Sequence, residues 1–195
     1  MKGVTYDMET TQAAPRFTTK RITYIGIFTA LIIICSQISI PMPAGVPMTL
    51  QTLIIPLAGM ILGPVDGTIA TIVYLLLGAV GLPVFAGFKG GIGSLVGMTG
   101  GFLLSFPVMP YLAGKFYEMN NRVMTVTGLI LGAVINYAVG TVMFAALTQS
   151  SIGYAFTACV LPFIPTAILK IVIAFLLGPM LRRSLVRAGV IGSPA

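Results

Sequence analysis

The sequence predicts an all-α integral membrane protein with six transmembrane helices, and three observations support this prediction. Only 8% of the 195 residues are charged and 57% are hydrophobic, whereas a soluble domain carries about 25% charged residues. Residues 22–65 contain no Lys, Arg, Asp or Glu, a stretch longer than the roughly 20 residues that one transmembrane helix needs. Six apolar blocks follow one another along the chain, at residues 22–40, 49–62, 67–80, 102–113, 123–147 and 161–181.

The apolar blocks define one membrane domain, which we assign to residues 21–182. Residues 1–20 are expected to form a disordered cytoplasmic tail without a cleavable signal, and residues 183–195 a second cytoplasmic tail. The second, third and fourth blocks are short and rich in Gly and Pro. Irregular backbone survives inside a membrane only where it is buried in protein or lines a cavity, so these blocks are the first indication of a binding pocket.

The basic residues predict the orientation of the chain. They flank the first block, the loop after the fourth block and the end of the sixth block: Arg16, Lys20, Arg21, Lys115, Arg122, Arg182, Arg183 and Arg187. Six passes would bring all these segments to one side of the membrane and leave only Lys89 on the other. The positive-inside rule therefore predicts that both termini are cytoplasmic. The net charge of +7 then reflects topology, and we expect no binding of nucleic acid.

An intramembrane enzyme is one alternative function class. It would need a nucleophile–base pair or a metal site. The chain has no His, 2 Cys and 4 acidic residues, and two of those acidic residues lie in the N-terminal tail. We therefore expect no catalytic residue, no metal and no cofactor. A scaffold without a ligand is a second alternative, and the position of Lys170 within an apolar block argues against it.

Lys170 is the only ionisable residue well inside an apolar block. An ammonium in lipid costs several kcal/mol, so a lysine at such a position is expected to face a cavity or a partner. Three interpretations remain open. The side chain extends to the outer interface, it meets the carboxylate of a ligand, or it contacts another subunit.

The outer connection at residues 81–101 contains eight glycines and one charge, Lys89. Its spacing does not match the phosphate-binding pattern G-x-x-x-x-G-K-[ST]. It is either a tightly packed re-entrant loop or a lid that offers Lys89 to an acidic ligand, and the two interpretations are compatible. Gln51, Lys89, Asn136 and Lys170 all fall in the predicted outer half of the membrane, and this convergence favours a binding site.

Alternatives also stay open at other positions. Asn136, next to Tyr137, either bonds two helices together or contacts a ligand. Tyr74 either anchors its helix at the membrane interface or belongs to the pocket. Gly26 and Ala30 form a small-x-x-x-small pattern, which permits close helix packing within the chain or with a partner.

Two runs of sequence resemble a known family. They are PMTLQTLIIPLAGMILGPVDGTIATIVYLLLGAVGLPVFAGFKGGIGSLVGMTGGFLLSF, and INYAVG followed by LPFIPTAILK. They resemble the biotin-specific substrate-binding (S) components of energy-coupling factor (ECF) transporters, the BioY family, over about residues 21–181. The resemblance implies the six-helix S-component fold, with biotin held near the outer side beneath a Gly-rich loop that follows the third helix.

The resemblance also implies a function and partners. Biotin would be captured from outside the cell and handed to an ATP-driven module, which consists of a coupling transmembrane subunit and two ATPase subunits, in a bacterial cell (inner) membrane. Gly26 and Ala30 would contact the coupling subunit. The predicted substrate-binding residues are Gln51, Tyr74, Lys89, Gly90, Gly91, Asn136, Tyr137 and Lys170. Lys170 or Lys89 would meet the biotin carboxylate, and Asn136 and Gln51 would bond the ureido ring.

One difference from the family pattern keeps two alternatives open. Thr166 and Ala167 stand where the family usually has Gly-Asp, so a carboxylate near Lys170 is missing. There are two alternatives to a biotin S component: an S component for a different small acidic vitamin, and a solitary biotin transporter.

Overall fold

The computed structural model describes residues 18–42 and 44–191. Residues 1–17 of the predicted tail at 1–20, and residues 192–195 of the predicted tail at 183–195, lie outside these residues. Thr19 and Lys20, at the end of the first predicted tail, already belong to the first helix. Within them the chain forms nine α-helices: α1 (Thr19–Gln37), α2 (Gln51–Leu62), α3 (Pro64–Ala79), α4 (Ile92–Val96), α5 (Gly100–Ser105), α6 (Val108–Glu118), α7 (Arg122–Thr148), α8 (Ile152–Cys159) and α9 (Ile164–Arg187). Two short antiparallel strands, β1 (Ser39–Ile40) and β2 (Met48–Thr49), lie between α1 and α2, and a 3₁₀ turn (Leu161–Phe163) precedes α9.

Among the described residues, three helical segments are long and apolar enough to span a membrane: α1, α7 and the segment Ile152–Arg187, which comprises α8, the 3₁₀ turn and α9. The helices α2 and α3 are apolar but have only 12 and 16 residues. Each of the six predicted blocks is mainly helical, although the first ends in β1 and the second begins in β2. The fourth covers two helices, α5 and α6, which are separated by Phe106 and Pro107. The count of six transmembrane helices therefore stays a prediction.

The helix α1 shows how the sequence sets the packing. The hydroxyl of Thr18 accepts a hydrogen bond from the backbone N–H of Arg21 and caps the first turn. Ile25, Phe28 and Ile32 are buried and repeat at the three- to four-residue spacing of one helix face. This face packs against α2 and α3, so the other face of α1 is left uncovered.

The helix α2 lies at the centre of the bundle and contacts α1, α3, α6 and α9. It ends at Gly63, whose φ of +94° suits glycine, and Pro64 then begins α3. Because α2 and α3 are joined by this single residue, they run back against each other. The start of α2 therefore lies at one end of the bundle and its last turn at the other.

Two predicted boundaries differ from those of the structure. The helix α9 continues to Arg187, beyond the predicted end of the membrane domain at residue 182. Arg182, which we counted among the basic residues that follow the last apolar block, is buried. The predicted Gly-rich loop at residues 81–101 is also partly helical, since it contains α4 and the first residues of α5. These short helices add a wall at the end of the bundle where α2 begins.

Candidate functional site

A cavity of about 490 Å³ lies where α2, α7 and α9 meet the Gly-rich segment. This volume is within the range of small-molecule sites, which are mostly apolar with a few polar groups. Its apolar wall includes Val46, Phe85, Phe102, Leu103, Phe106 and Phe163. Six of the eight predicted substrate-binding residues line it: Gln51, Lys89, Gly90, Asn136, Tyr137 and Lys170.

Lys170 reaches from α9 to the beginning of α2. Its Nζ donates hydrogen bonds to the carbonyl oxygen of Thr49 at 2.6 Å and to the hydroxyl of Thr52 at 3.0 Å. The side chain is half-buried at the wall of the cavity. An ammonium has three N–H donors, and both of these acceptors are neutral. Within residues 18–42 and 44–191 no carboxylate pairs with Lys170. The positive charge at the cavity wall is therefore not compensated by these residues.

Asn136 joins two helices and faces the cavity as well. Its Nδ2 donates to the carbonyl oxygen of Phe102 and to the hydroxyl of Ser105, both at 2.8 Å. These bonds use both amide N–H groups, so Oδ1 is the atom that can accept a hydrogen bond from a ligand. Tyr137 packs edge-on against Phe102, with 6.4 Å between the ring centroids.

Gln51 lies at the first turn of α2 and is only 4% exposed. Its Nε2 donates to the hydroxyl of Tyr74, and its Oε1 accepts from the hydroxyl of Thr49 at 2.8 Å. Tyr74 is fully buried, so the interpretation of Tyr74 as an interface anchor is wrong. It is not among the lining residues. It lies behind Gln51 and fixes the orientation of that side chain.

Lys89 lies on a tight turn at the edge of the cavity. The backbone N–H of Phe85 donates to the carbonyl oxygen of Lys89 at 2.9 Å, and a weaker bond of 3.3 Å runs in the opposite direction. The lysine side chain is exposed. Gly90 allows the backbone of this turn to lie close to Leu82, because a side chain at position 90 would overlap the carbonyl oxygen of Leu82. Gly91 has a φ of +86° and does not line the cavity.

Two residues that were not predicted as part of the site, Ser36 and Gln37, hold this turn. Ser36 and Gln37 end α1, and the hydroxyl of Ser36 donates to the carbonyl oxygen of Val84. The Nε2 of Gln37 donates to the carbonyl oxygens of Val84 at 3.1 Å and Phe85 at 3.2 Å. The available signal was a pair of adjacent polar residues at the end of an otherwise apolar helix. The sequence does not indicate which segment they would meet.

Comparison with known proteins decides the family. The model of the BioY family matches residues 8–187 of the chain. The chain belongs to the BioY family. The resemblance inferred from the sequence is therefore confirmed, and the family is one of transporters, not of enzymes. Its members are multi-pass membrane proteins, which agrees with the long apolar helices.

Individual relatives agree with the BioY assignment. The chain is 36% identical to the "Probable biotin transporter BioY" of Pyrococcus horikoshii over 84% of this chain and 96% of that protein. It is 38% identical to the "Biotin transporter BioY" of Thermotoga maritima, over 81% and 93% of the two chains. It also resembles the crystal structure of the S-component for biotin from an ECF-type ABC transporter, with a TM-score of 0.78 and 30% identity over 86% of this chain and 95% of that one. The S-component fold is thereby confirmed.

In this BioY-family chain, Gly26 and Ala30 lie far from the cavity on the uncovered face of α1. Both residues are exposed. A side chain at Gly26 would have nothing within 4 Å. The small residues of this face therefore do not serve close packing within the described part of the chain.

Proposed function

We propose that this chain is the biotin-binding S component of an ECF-type transporter and performs no covalent chemistry. The observation that carries the proposal is the half-buried ammonium of Lys170 at the wall of a largely apolar cavity of about 490 Å³. Biotin has a carboxylate at one end and a neutral ureido ring at the other. A cation for the first and hydrogen-bonding groups for the second are the polar elements that such a ligand requires.

The ligand would lie across the cavity between α9 and α7. Its carboxylate would accept a charge-assisted hydrogen bond from Lys170, which is stronger than a bond between neutral groups. The Oδ1 of Asn136 would accept a bond from a ureido N–H, and Gln51 would lie close enough to contribute. The thiophane ring and the valeryl chain would be buried against Phe85, Phe102 and Phe163. Lys89, at the exposed turn, would attract the anion during entry.

Transport requires energy that this chain does not supply, since its sequence contains no ATPase motif. We therefore propose that it works with a coupling transmembrane subunit and two ATPase subunits, and that Gly26 and Ala30 contact the coupling subunit. Direct transport by the chain alone is the alternative. The six apolar blocks support six spans, and the basic segments support an orientation with both termini in the cytoplasm. Membership of the BioY family supports a location in the bacterial inner membrane, surrounded by lipid.

An S component for a different acidic vitamin is a second candidate, and the beginning of α9 favours keeping it. Thr166 bonds the carbonyl oxygen of Phe163 in its own turn at 2.9 Å. Ala167 carries no polar group. The carboxylate that the family usually has next to this lysine is therefore missing, and a ureido ring would have one acceptor fewer.

Equilibrium binding of labelled biotin to the purified protein tests the proposal. We expect saturable binding by one molecule per chain, and competition by unlabelled biotin at stoichiometric excess. Biotin amide and lipoic acid serve as comparison ligands, the first without the carboxylate and the second without the ureido ring. Binding of lipoic acid but not of biotin would favour the second candidate, and binding of neither ligand would contradict biotin as the substrate.

A further inference from the structure

A second cavity, of about 360 Å³, lies at the opposite end of the helix bundle. It is enclosed by the beginning of α1, the last turn of α2, the first turn of α3 and the end of α9. Lys170 and Arg182 mark the two ends on α9, and a separation of twelve residues corresponds to about 18 Å along a helix. The charged residues that line the second cavity are Lys20, Arg21, Asp66 and Arg182.

Arg182 is the distinctive member of this cavity. It is only 7% exposed. Its Nη1 donates to the carbonyl oxygen of Met60 at 2.8 Å, and its guanidinium lies 5.4 Å from the centre of the Tyr117 ring. Its Nε is buried without a hydrogen-bond partner in the described part of the chain. A carbonyl group and an aromatic ring can orient a guanidinium, but neither neutralises its charge.

The carboxylate in this cavity is already engaged. Asp66 accepts a hydrogen bond from the Nε of Arg21 at 2.7 Å and forms an ion pair with it. Lys20 donates to the carbonyl oxygen of Gly189 at 3.2 Å, again a neutral acceptor. The charges of Lys20 and Arg182 are therefore not compensated by any carboxylate among the residues that the structure describes. A buried cation without a counter-ion is unfavourable by several kcal/mol, so an external anion would stabilise this arrangement.

We propose that this second cavity binds the phosphate group of an anionic ligand. A guanidinium offers paired N–H donors that match phosphate oxygens, and an ammonium beside it adds a second charge. The helix ends that enclose the cavity are where lipid headgroups are found around a membrane protein. An anionic phospholipid and a free phosphate ester share this chemistry, and the experiment separates them.

The lipid arm uses the full chain reconstituted in nanodiscs of phosphatidylcholine with a minority of phosphatidylglycerol. Native mass spectrometry after release into detergent counts the lipids that remain bound. The wild type is expected to retain phosphatidylglycerol in preference to phosphatidylcholine. Arg182→Gln is expected to lower this retention at least about 10-fold, the effect of losing one charged hydrogen bond. Lys20→Gln is expected to lower it about five-fold.

Arg183→Gln is the matched control, because Arg183 is the neighbouring residue on α9, has the same charge and is exposed. It is expected to change retention less than about two-fold, since salt screens exposed charges. Equal losses in Arg182→Gln and Arg183→Gln would overturn the proposal in favour of a general surface attraction. Should Arg182→Gln fail to fold, as judged by lost biotin binding, Lys20→Gln decides alone, and unchanged retention in that variant would overturn the proposal.

The soluble arm uses inorganic phosphate and glycerol 3-phosphate with the detergent-purified chain. A rise in the Tm of the wild type that Arg182→Gln lacks, together with no preference for phosphatidylglycerol, would assign the cavity to a soluble phosphate. Preference for the lipid without such a rise would assign it to a headgroup. No response to either class would contradict the proposal.

Discussion

The side chain of Gln37 holds the backbone of Phe88 from the last turn of α1. The N–H of Phe88 donates to the Oε1 of Gln37 at 3.0 Å, and Phe88 has a φ of +56°, in a region that residues other than glycine rarely adopt. The same carboxamide donates to Val84 and Phe85 on the other side of the turn. The turn that carries Lys89 is therefore fastened to the last turn of the helix that also bears Gly26 and Ala30.

The first prediction concerns this fastening. Gln37→Leu removes the side-chain hydrogen bonds to the turn and leaves the strained residue without support, so the turn should become mobile. We expect biotin binding to weaken about 3- to 10-fold, corresponding to the net contribution of one or two neutral hydrogen bonds. Most of the change should appear as faster dissociation of biotin, measured by displacement of the labelled ligand.

Thr23→Val is the control for this prediction. Thr23 also lies on α1, and its hydroxyl donates to the carbonyl oxygen of Thr19 in its own helix. It should leave biotin dissociation unchanged. Equal rates in wild type and Gln37→Leu would mean that the turn keeps its conformation without the carboxamide.

The second prediction concerns the carboxylate of biotin. Lys170→Met is expected to weaken biotin binding by roughly 2–4 kcal/mol, about 30- to 1000-fold, as one desolvated charge contact is lost. Lys89→Met should have a smaller effect, because Lys89 is exposed to solvent. Biotin amide should bind the wild type poorly and lose little further affinity in Lys170→Met. The measurement is a comparison of both ligands on both proteins by equilibrium binding.

Lys115→Met is the matched control, since Lys115 is exposed near the end of α6 and does not line the cavity. It should bind both ligands as the wild type does. If Lys170→Met weakens biotin and its amide equally, Lys170 is structural or contacts the ureido ring. The carboxylate would then be assigned to Lys89.

The third prediction concerns the uncovered face of α1. Gly26→Trp and Ala30→Trp should block assembly with the coupling subunit, because a bulky side chain there prevents close approach of another helix. Biotin binding by the isolated chain should stay nearly unchanged, since the space beside Gly26 is open. Co-purification of the coupling subunit and uptake of biotin by cells provide the two measurements.

Leu176→Trp supplies the comparison for this face. Leu176 is 63% exposed on α9, and the substitution places the same indole on another apolar surface. It should permit assembly. Assembly and uptake that survive both α1 substitutions would exclude this face as the contact.

The fourth prediction concerns orientation. In a background with Cys35 and Cys159 replaced by Ala, Lys89→Cys should react with a membrane-impermeant maleimide applied to intact cells. Lys115→Cys should react only after permeabilisation, because the predicted topology puts it on the cytoplasmic side. The reverse pattern of labelling would invert the topology.

The sequence predicted the helical blocks well, because a transmembrane helix is detectable from local composition alone. It also predicted the convergence of Gln51, Asn136 and Lys170, since polar side chains in apolar helices avoid lipid and therefore face a cavity or one another. It did not predict the interruption at Phe106 and Pro107 within the fourth block. The short helices of the Gly-rich segment were missed as well, because so many glycines favour a loop when only local propensity is considered.

Other features depend on contacts between distant residues. Gln37 meets a turn 51 residues further along the chain, and no local pattern specifies that encounter. Arg182 was grouped with Arg183 and Arg187 as one of the charges that follow the last apolar block, since charge counting treats all basic residues alike. The structure separates it from them, because its position on α9 turns it towards Met60 and Tyr117 while Arg183 faces outwards.

The two threonine oxygens on Lys170 have a kinetic consequence. They belong to the protein itself, so a departing carboxylate does not leave a bare charge behind. We expect this to ease unloading at the expense of some affinity, because an incoming carboxylate adds to existing bonds and does not meet an unsolvated ion. A transport protein must release its ligand in every cycle. Acceptors within the protein therefore favour fast release of the ligand over the highest binding affinity.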